Sequence, residues 1–310
     1  MQEIIEVKNL TKRYGDQAVV DNISFTVESQ EIFGFLGPNG AGKTTSLEMI
    51  EGLRKPDGGE IFIKGQTVWP NPNKVKNLIG VQLQSTSFYE ELTVKETLAL
   101  FASLYGKKLS AGELEDLLAI VGLTEKENAH TRSLSGGQQQ RLAIVTTLVN
   151  EPDVIFLDEP STGLDPQSRR NIWDVVKELQ RRGKTVILTT HYMEEAEYLC
   201  DRVAIIDQGK IIALDTPQKL IDGLGSEAKV SFTSETPIKK ELLSQVEAAT
   251  VKELSGNNGK QLIYSTDPAK TITSLLALTK QDNVEIKGLH VSSATLEDVF
   301  LELTGKELRD

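Results

Sequence analysis

The stretch GPNGAGKTT, Gly37 to Thr45, sets three glycines within six residues ahead of a lysine and two threonines. Glycines at that density let backbone N–H groups converge on something approached closely, and the spacing fits G-x-x-x-x-G-K-[ST], the loop that cradles phosphates. Gly37, Pro38, Asn39, Gly40, Ala41, Gly42, Lys43, Thr44 and Thr45 are therefore candidate phosphate-binding residues. In this reading Lys43 reaches the β- and γ-phosphates from an exposed loop and Thr44 holds magnesium. The ligand such a loop takes is a nucleoside triphosphate. A second constellation stands at VIFLDEP, where an apolar run ends in Asp158 and Glu159. A carboxylate at a strand tip beside a phosphate loop can hold magnesium through water, and its neighbour can polarise the attacking water. Asp158 takes the first role and Glu159 the second.

Residues so far apart in the chain need a scaffold that brings them together. EIFGFLG reads as a buried strand running into the phosphate loop, and TSLEMIEGL as the helix that leaves it. EIIEVKNL, AVVDNISFTV and EIFGFL, around the polar turns KRYGDQ and ESQ, have the pattern of antiparallel strands. A further pair of strands fits GEIFIKG and NLIGVQLQ. From Leu92, Val94, Leu98, Leu100 and Phe101 to Leu114, Leu117, Leu118 and Val121 the apolar spacing turns helical, the start of a helical insert over about 91–150. VIFLDEP and TVILTTH, separated by helix-like SRRNIWDVVKELQRRG, read as buried parallel strands of an α/β sheet. RVAIIDQGKIIALD reads as a hairpin turning at Gln208 and Gly209.

At DGLGSE the pattern changes, and a domain boundary is expected between 224 and 225. Beyond it come strand AKVSF, helix IKKELLSQV, strand ATVKEL, turn SGNNGK, strand QLIYS, helix PAKTITSLLALTKQ, strand VEIKGLHV and helix TLEDVFLELT. That βαββαβ order with a closing helix is compatible with a small ferredoxin-like α+β domain. The expected fold is α/β: a phosphate-loop NTPase core with an antiparallel β subdomain and helical insert over 1–224, and an α+β accessory domain over 225–310.

Composition narrows the function classes. At 310 residues and a formal charge of −11, the chain lacks the basic surface that a broad nucleic-acid contact needs. The single cysteine, Cys200, can form no internal disulfide and reads as a buried thiol. MQEIIEVKNLTKRYG has no secretory apolar core, and no run approaches the roughly 20 apolar residues needed to span a bilayer. A cytoplasmic location is expected, with membrane work left to another subunit.

Between the two acid and phosphate motifs lies LSGGQQQR, Leu134 to Arg141, which resembles the signature sequence of the ATP-binding cassette (ABC) ATPases. Ser135, Gly136 and Gly137 would present a hydroxyl and backbone amides at a helix start, another anion-binding surface. The remaining motifs of the family follow in order. Tyr14 in KRYG resembles the aromatic that stacks on adenine; Gln84 in GVQLQ resembles the glutamine that contacts magnesium and the water and senses the transport partner. Asp165 in STGLDP resembles part of the loop that communicates across the dimer, and His191 in TTHYMEEA the histidine that touches the γ-phosphate. Together these motifs cover about residues 3–220.

The resemblance implies ATP and Mg2+ as cofactors, and a dimer with a second copy or a paralogous ATPase. In such a dimer the phosphate loop of one chain faces the signature of the other. It implies ATP hydrolysis coupled to transport through an integral-membrane permease, with the chain peripheral on the cytoplasmic face of the cell membrane and no nucleic-acid partner. Glu91, Leu92 and Val94, beside the Gln84 loop, are the local candidates for permease contact. HYMEEAEYLCDRVAIIDQGKIIALDTP and SSATLEDVFLELTG look like bacterial cassette ATPases of drug, antibiotic, lipid or polysaccharide exporters, so export of an amphipathic or antimicrobial compound is expected. An importer ATPase, or a soluble cassette ATPase acting on nucleic acid or ribosomes, is the alternative. Two departures from the family, Leu83 in place of proline and TTL at 146–148 in place of Arg-Ala-Leu, remove no ligand and no base. Glu194, Glu195 and Glu197 read as a solvated helix face.

Overall fold

A computed structural model describes residues 2–84, 87–225, 228–234, 238, 243–252, 260–281 and 284–305. The chain divides into two compact units, Met1–Pro217 and Gln218–Glu307.

In the first unit β1 (Glu3–Tyr14) and β2 (Gln17–Glu28) pair antiparallel, and β4 (Gly58–Ile63) joins the other edge of β1, followed by the two-residue β5 (Gln66–Thr67). Alternate residues of these strands, among them Ile5, Val7, Val20, Phe25 and Val27, turn inward. The second sheet has the order β10-β9-β3-β8-β7-β6, built from β3 (Ile32–Leu36), β6 (Ile79–Gln82), β7 (Val154–Asp158), β8 (Thr185–Thr190), β9 (Arg202–Asp207) and β10 (Lys210–Asp215). Its pairings are parallel except for the β9–β10 hairpin, whose turn holds Gln208 and Gly209 at positive φ.

EIFGFL thus does not continue the antiparallel sheet. β3 lies at the centre of the parallel one, buried along its whole length, because a strand covered on both faces needs continuous rather than alternating apolar character. GEIFIKG and NLIGVQLQ likewise supply strands to different sheets, β4 to the antiparallel and β6 to the parallel one. The sheets share one core, in which Phe25, Phe33 and Phe35 bring their ring centroids within 5.2–5.4 Å and α1 (Lys43–Ile50) contributes Leu47, Met49 and Ile50.

The insert holds α2 (Val94–Leu104), α3 (Ala111–Ile120) and α4 (Gly136–Thr146). Thr93 with Glu96 and Ser110 with Glu113 form reciprocal capping boxes that fix where α2 and α3 start. α4 contacts α5 (Pro166–Arg181), and α5 and α6 (Met193–Leu199) lie on β8. Cys200 is buried, as its residue type implies, and burial pushes its thiol pKa up. No described helix is long and apolar enough to cross a membrane.

A short helix α7 (Pro217–Asp222) precedes the strands of the second unit. There β11 (Ala228–Ser234), β12 (Ala249–Lys252), β13 (Lys260–Ser265) and β14 (Ile286–Ser292) form an antiparallel sheet of order β12-β13-β11-β14. Helices α8 (Pro268–Gln281) and α9 (Leu296–Thr304) complete the described elements. Val230, Phe232, Ile263 and Leu275 form its core, and Asp298 of α9 accepts hydrogen bonds from the Tyr264 hydroxyl at 2.7 Å and Lys229 Nζ at 2.9 Å. Residues 239–242 of the expected helix IKKELLSQV and most of the turn SGNNGK lie outside the described residues.

Candidate active site

Parallel strands place the carboxyl ends of β3, β6, β7 and β8 along one sheet edge, and the loops leaving that edge carry the phosphate loop, Gln84, Asp158–Glu159 and His191. The loop's conformation explains one of its glycines directly. Gly42, immediately before α1, has φ +104°, and a Cβ there would fall 2.4 Å from the carbonyl oxygen of Val19. Only glycine fits. The loop and the first turn of α1 form the floor of a cleft of about 240 Å³ that Val19, Gln84 and Glu159 help to close.

Lys43 corrects the sequence reading. Its side chain is not exposed but 4% accessible, with Nζ donating to the carbonyl oxygens of Gly37 at 2.8 Å and Pro38 at 3.1 Å. It lies 3.7 Å from Glu159 Oε1. Burial lowers the Lys43 pKa, and the charges of Glu159 and Asp158 oppose that shift. The Thr44 hydroxyl donates to Asp158 Oδ1 at 3.3 Å. Burial raises the Asp158 pKa, while hydrogen bonds from Thr189 and Thr44 hold it back.

Glu159 adopts φ +48° at the tip of β7, a left-handed conformation uncommon outside glycine. Its carboxylate gathers several neighbours: the Thr162 hydroxyl donates to Oε2 at 3.1 Å, and Gln84 Nε2 reaches the same oxygen at 3.5 Å. His191 Nδ1 lies 3.4 Å from the same oxygen and is buried without a hydrogen-bond partner. A lysine, two carboxylates, a hydroxyl, an amide and an imidazole thus converge at the cleft. This set can bind phosphate oxygens, ligate a hard cation and orient a water. Among the described residues no group of three or more His, Cys, Asp or Glu forms a metal cage. The oxygens of Thr44, Asp158 and Gln84 nonetheless suit Mg2+, which takes one or two protein carboxylates and completes its shell with substrate phosphates and water.

Other candidates lie apart from the cleft. Tyr14 is 48% exposed, and its hydroxyl accepts from Arg54, whose guanidinium is 5.8 Å from the ring centroid. Ser135 is exposed at the N-cap of α4 in a capping box with Gln138; Gly136 has open space around its Cα, and Gly137 packs against Ser168. Asp165 caps α5, accepting from the backbone N–H groups of Gln167 at 3.0 Å and Ser168 at 2.9 Å, and the Ser168 hydroxyl bond helps hold its pKa low. None of these residues lines the cleft.

Two further sequence readings need correction. Val94, offered as a permease contact, is buried in the first turn of α2, whereas Leu83 and Tyr89 beside Gln84 are 49% and 73% exposed. Glu195, read as part of a solvated face, is fully buried and accepts from Trp173 Nε1 at 3.0 Å, because α6 turns that side toward α5. Thr162 and Thr189 escaped sequence reasoning altogether. The signal for Thr189 was present: a threonine pair ends the otherwise apolar strand TVILTT.

Known proteins align with this picture. A family model described as ABC transporter matches residues 20–162. The chain is 40% identical over 311 residues to the Nod factor export ATP-binding protein I of Ralstonia nicotianae, covering 99% of this chain and 95% of that one. It is 39% identical over 316 residues to the linearmycin resistance ATP-binding protein LnrL of Bacillus subtilis, covering 99% and 100%. Among solved structures, it is similar to a dimeric ATP-binding cassette in a post-hydrolysis state bound to ADP and Pi. That match has 28% identity and a TM-score of 0.61, over 68% of this chain and 98% of that one. A cbiO1 cassette from Clostridium perfringens matches with 27% identity and a TM-score of 0.66, over 72% and 92%.

Proposed function

The chain belongs to the ABC transporter family as an exporter-type ATP-binding subunit and ATPase, and from that premise we propose how its residues divide the work and what it moves. Lys43 and the backbone amides of Gly37–Thr45 bind the β- and γ-phosphates. Thr44, Gln84 and Asp158 hold Mg2+, which when bound neutralises charge on the phosphate oxygens. Glu159 is the base that orients the attacking water, and His191 contacts the γ-phosphate. The observation that carries this division is the Glu159 carboxylate, held at the mouth of the cleft 3.7 Å from Lys43 and beside the Thr44–Asp158 pair.

The cleft is smaller than the roughly 300 Å³ at which most ligand pockets begin. That size suits the phosphate end of a nucleotide, with the remaining contacts supplied from outside. Ser135, Gly136, Gly137 and Asp165 supply them to the nucleotide of a second, facing chain, and Tyr14 stacks on the adenine of its own. Two identical or paralogous chains therefore sandwich two nucleotides. Binding favours closure and hydrolysis favours opening, since only the triphosphate offers the facing signature a γ-phosphate.

A multi-spanning permease receives this motion at the cytoplasmic face of the membrane, docking by the Gln84 loop and the helical insert, where Leu83 and Tyr89 are exposed. The cargo is an amphipathic or antimicrobial compound, a reading supported by relatives named for Nod factor export and for linearmycin resistance. The second unit is a ferredoxin-like accessory domain. Its sheet order, with the first and third strands central and the second and fourth at the edges, supports that reading.

Glu159→Gln tests the site assignment. The amide keeps the shape and removes the base, so ATP binding persists while hydrolysis falls roughly a hundred-fold or more. The variant then accumulates as a closed dimer on size-exclusion chromatography with ATP and Mg2+. A variant hydrolysing at the parental rate removes Glu159 from the role.

A further inference from the structure

We infer that Thr189 is a positioning residue for hydrolysis: its single hydroxyl sets both the Asp158 carboxylate and the backbone of Glu159. Thr189 lies on β8 directly opposite Asp158 of β7, in a stretch where Val186, Ile187 and Leu188 are buried and apolar. It is itself fully buried. A hydroxyl in such a place is costly unless its hydrogen-bonding capacity is used. Here it is used twice. The Thr189 O–H donates to Asp158 Oδ1, and its oxygen accepts the backbone N–H of Glu159 at 2.9 Å.

The second bond falls where the chain needs it. Glu159 sits at φ +48°, which an L side chain adopts only when the surroundings hold it there. A bond to the N–H of that same residue fixes how the main chain leaves β7, and so where the Glu159 side chain starts. The first bond orients the carboxylate that also receives the Thr44 hydroxyl. Thr189 does not line the cleft; it acts through Asp158, a candidate magnesium ligand, and through the backbone of Glu159. Valine has the same branched shape and neither hydrogen bond.

This inference rests on Glu159 being the base, and the test separates the two claims. ATPase kinetics and equilibrium binding of a fluorescent ATP analogue are measured on the full chain, its Glu159→Gln control and Thr189→Val, →Ser and →Ala. Thr189→Val is expected to lose about ten-fold in kcat, the scale of one hydrogen bond to a charged group, with KM and analogue affinity within about two-fold of the parent. Thr189→Ser, which restores donor and acceptor, stays within about three-fold of parental kcat.

If the valine variant unfolds, the serine and alanine pair decides, since both lose the methyl and only alanine loses the hydroxyl. A serine kcat about ten-fold above that of alanine supports the role. Parental kcat in Thr189→Val, equal kcat for serine and alanine, or a loss confined to KM overturns it, provided Glu159→Gln is slow. A Glu159→Gln that hydrolyses normally overturns the site assignment instead.

Discussion

Glu51, at the C-terminal end of α1, is a buried carboxyl with one oxygen lacking a partner, and burial, reinforced by the charges of Asp158 and Glu48, pushes its pKa from 4.5 up to about 8. Between those values the folded chain keeps a proton that the unfolded chain releases, so stability is full below the unfolded value and declines as pH rises towards 8. Glu51→Gln cannot ionise. Urea denaturation should find the variant close to the parent at pH 5 and more stable by about 1–3 kcal/mol at pH 8. A stability difference that does not change with pH would contradict this. Individual residues differed in how far the sequence revealed them. GPNGAGKTT and LDEP disclosed their chemistry because the spacing of residue types is itself the motif. The burial of Lys43 and Glu195 was hidden, since it depends on Gly37 and Pro38 carbonyls folding over one side chain and on α5 packing against the other.

Elements were legible where periodicity is strong. The alternation of β1 and β2 and the helical spacing of α2 and α3 read directly, and the S/T-x-x-E boxes at Thr93 and Ser110 were available in the sequence to mark their starts. β3 misled because a short, wholly apolar run states that a strand is buried and does not state which neighbours it has. At the start of α4, two adjacent glycines that look equivalent in sequence have different physical roles. A Cβ on Gly137 would come within 2.8–2.9 Å of the Ser168 side chain on α5, whereas Gly136 has nothing within 4 Å. Gly137→Ala should therefore destabilise the fold by about 1–3 kcal/mol, the usual range for overpacking. Gly136→Ala should leave stability within about 0.5 kcal/mol of the parent or slightly raise it, since alanine is the better helix former. Chemical denaturation of both variants checks the pair, and equal effects would show that the α4–α5 contact does not discriminate between them.

At the scale of the molecule, the arrangement divides into a cleft that holds Lys43, Thr44, Gln84 and Glu159 and a separate exposed turn at Ser135–Gly136. The family's motifs predicted both parts from the sequence. Their separation within one chain is a property of the fold, because the phosphate loop follows β3 at the sheet edge and the signature caps a helix of the insert. In the proposed dimer each nucleotide is handled by the cleft of one chain and the Ser135 turn of another. Mixing Ser135→Arg chains with Lys43→Ala chains, each inactive alone, tests it most directly. The heterodimer then carries one doubly damaged site and one intact site. ATPase activity measured after re-equilibration, with heterodimers verified by differential tags and the permease present, should recover to roughly a quarter of the parental level for random pairing of equal amounts. No recovery in verified heterodimers would contradict composite sites that work independently.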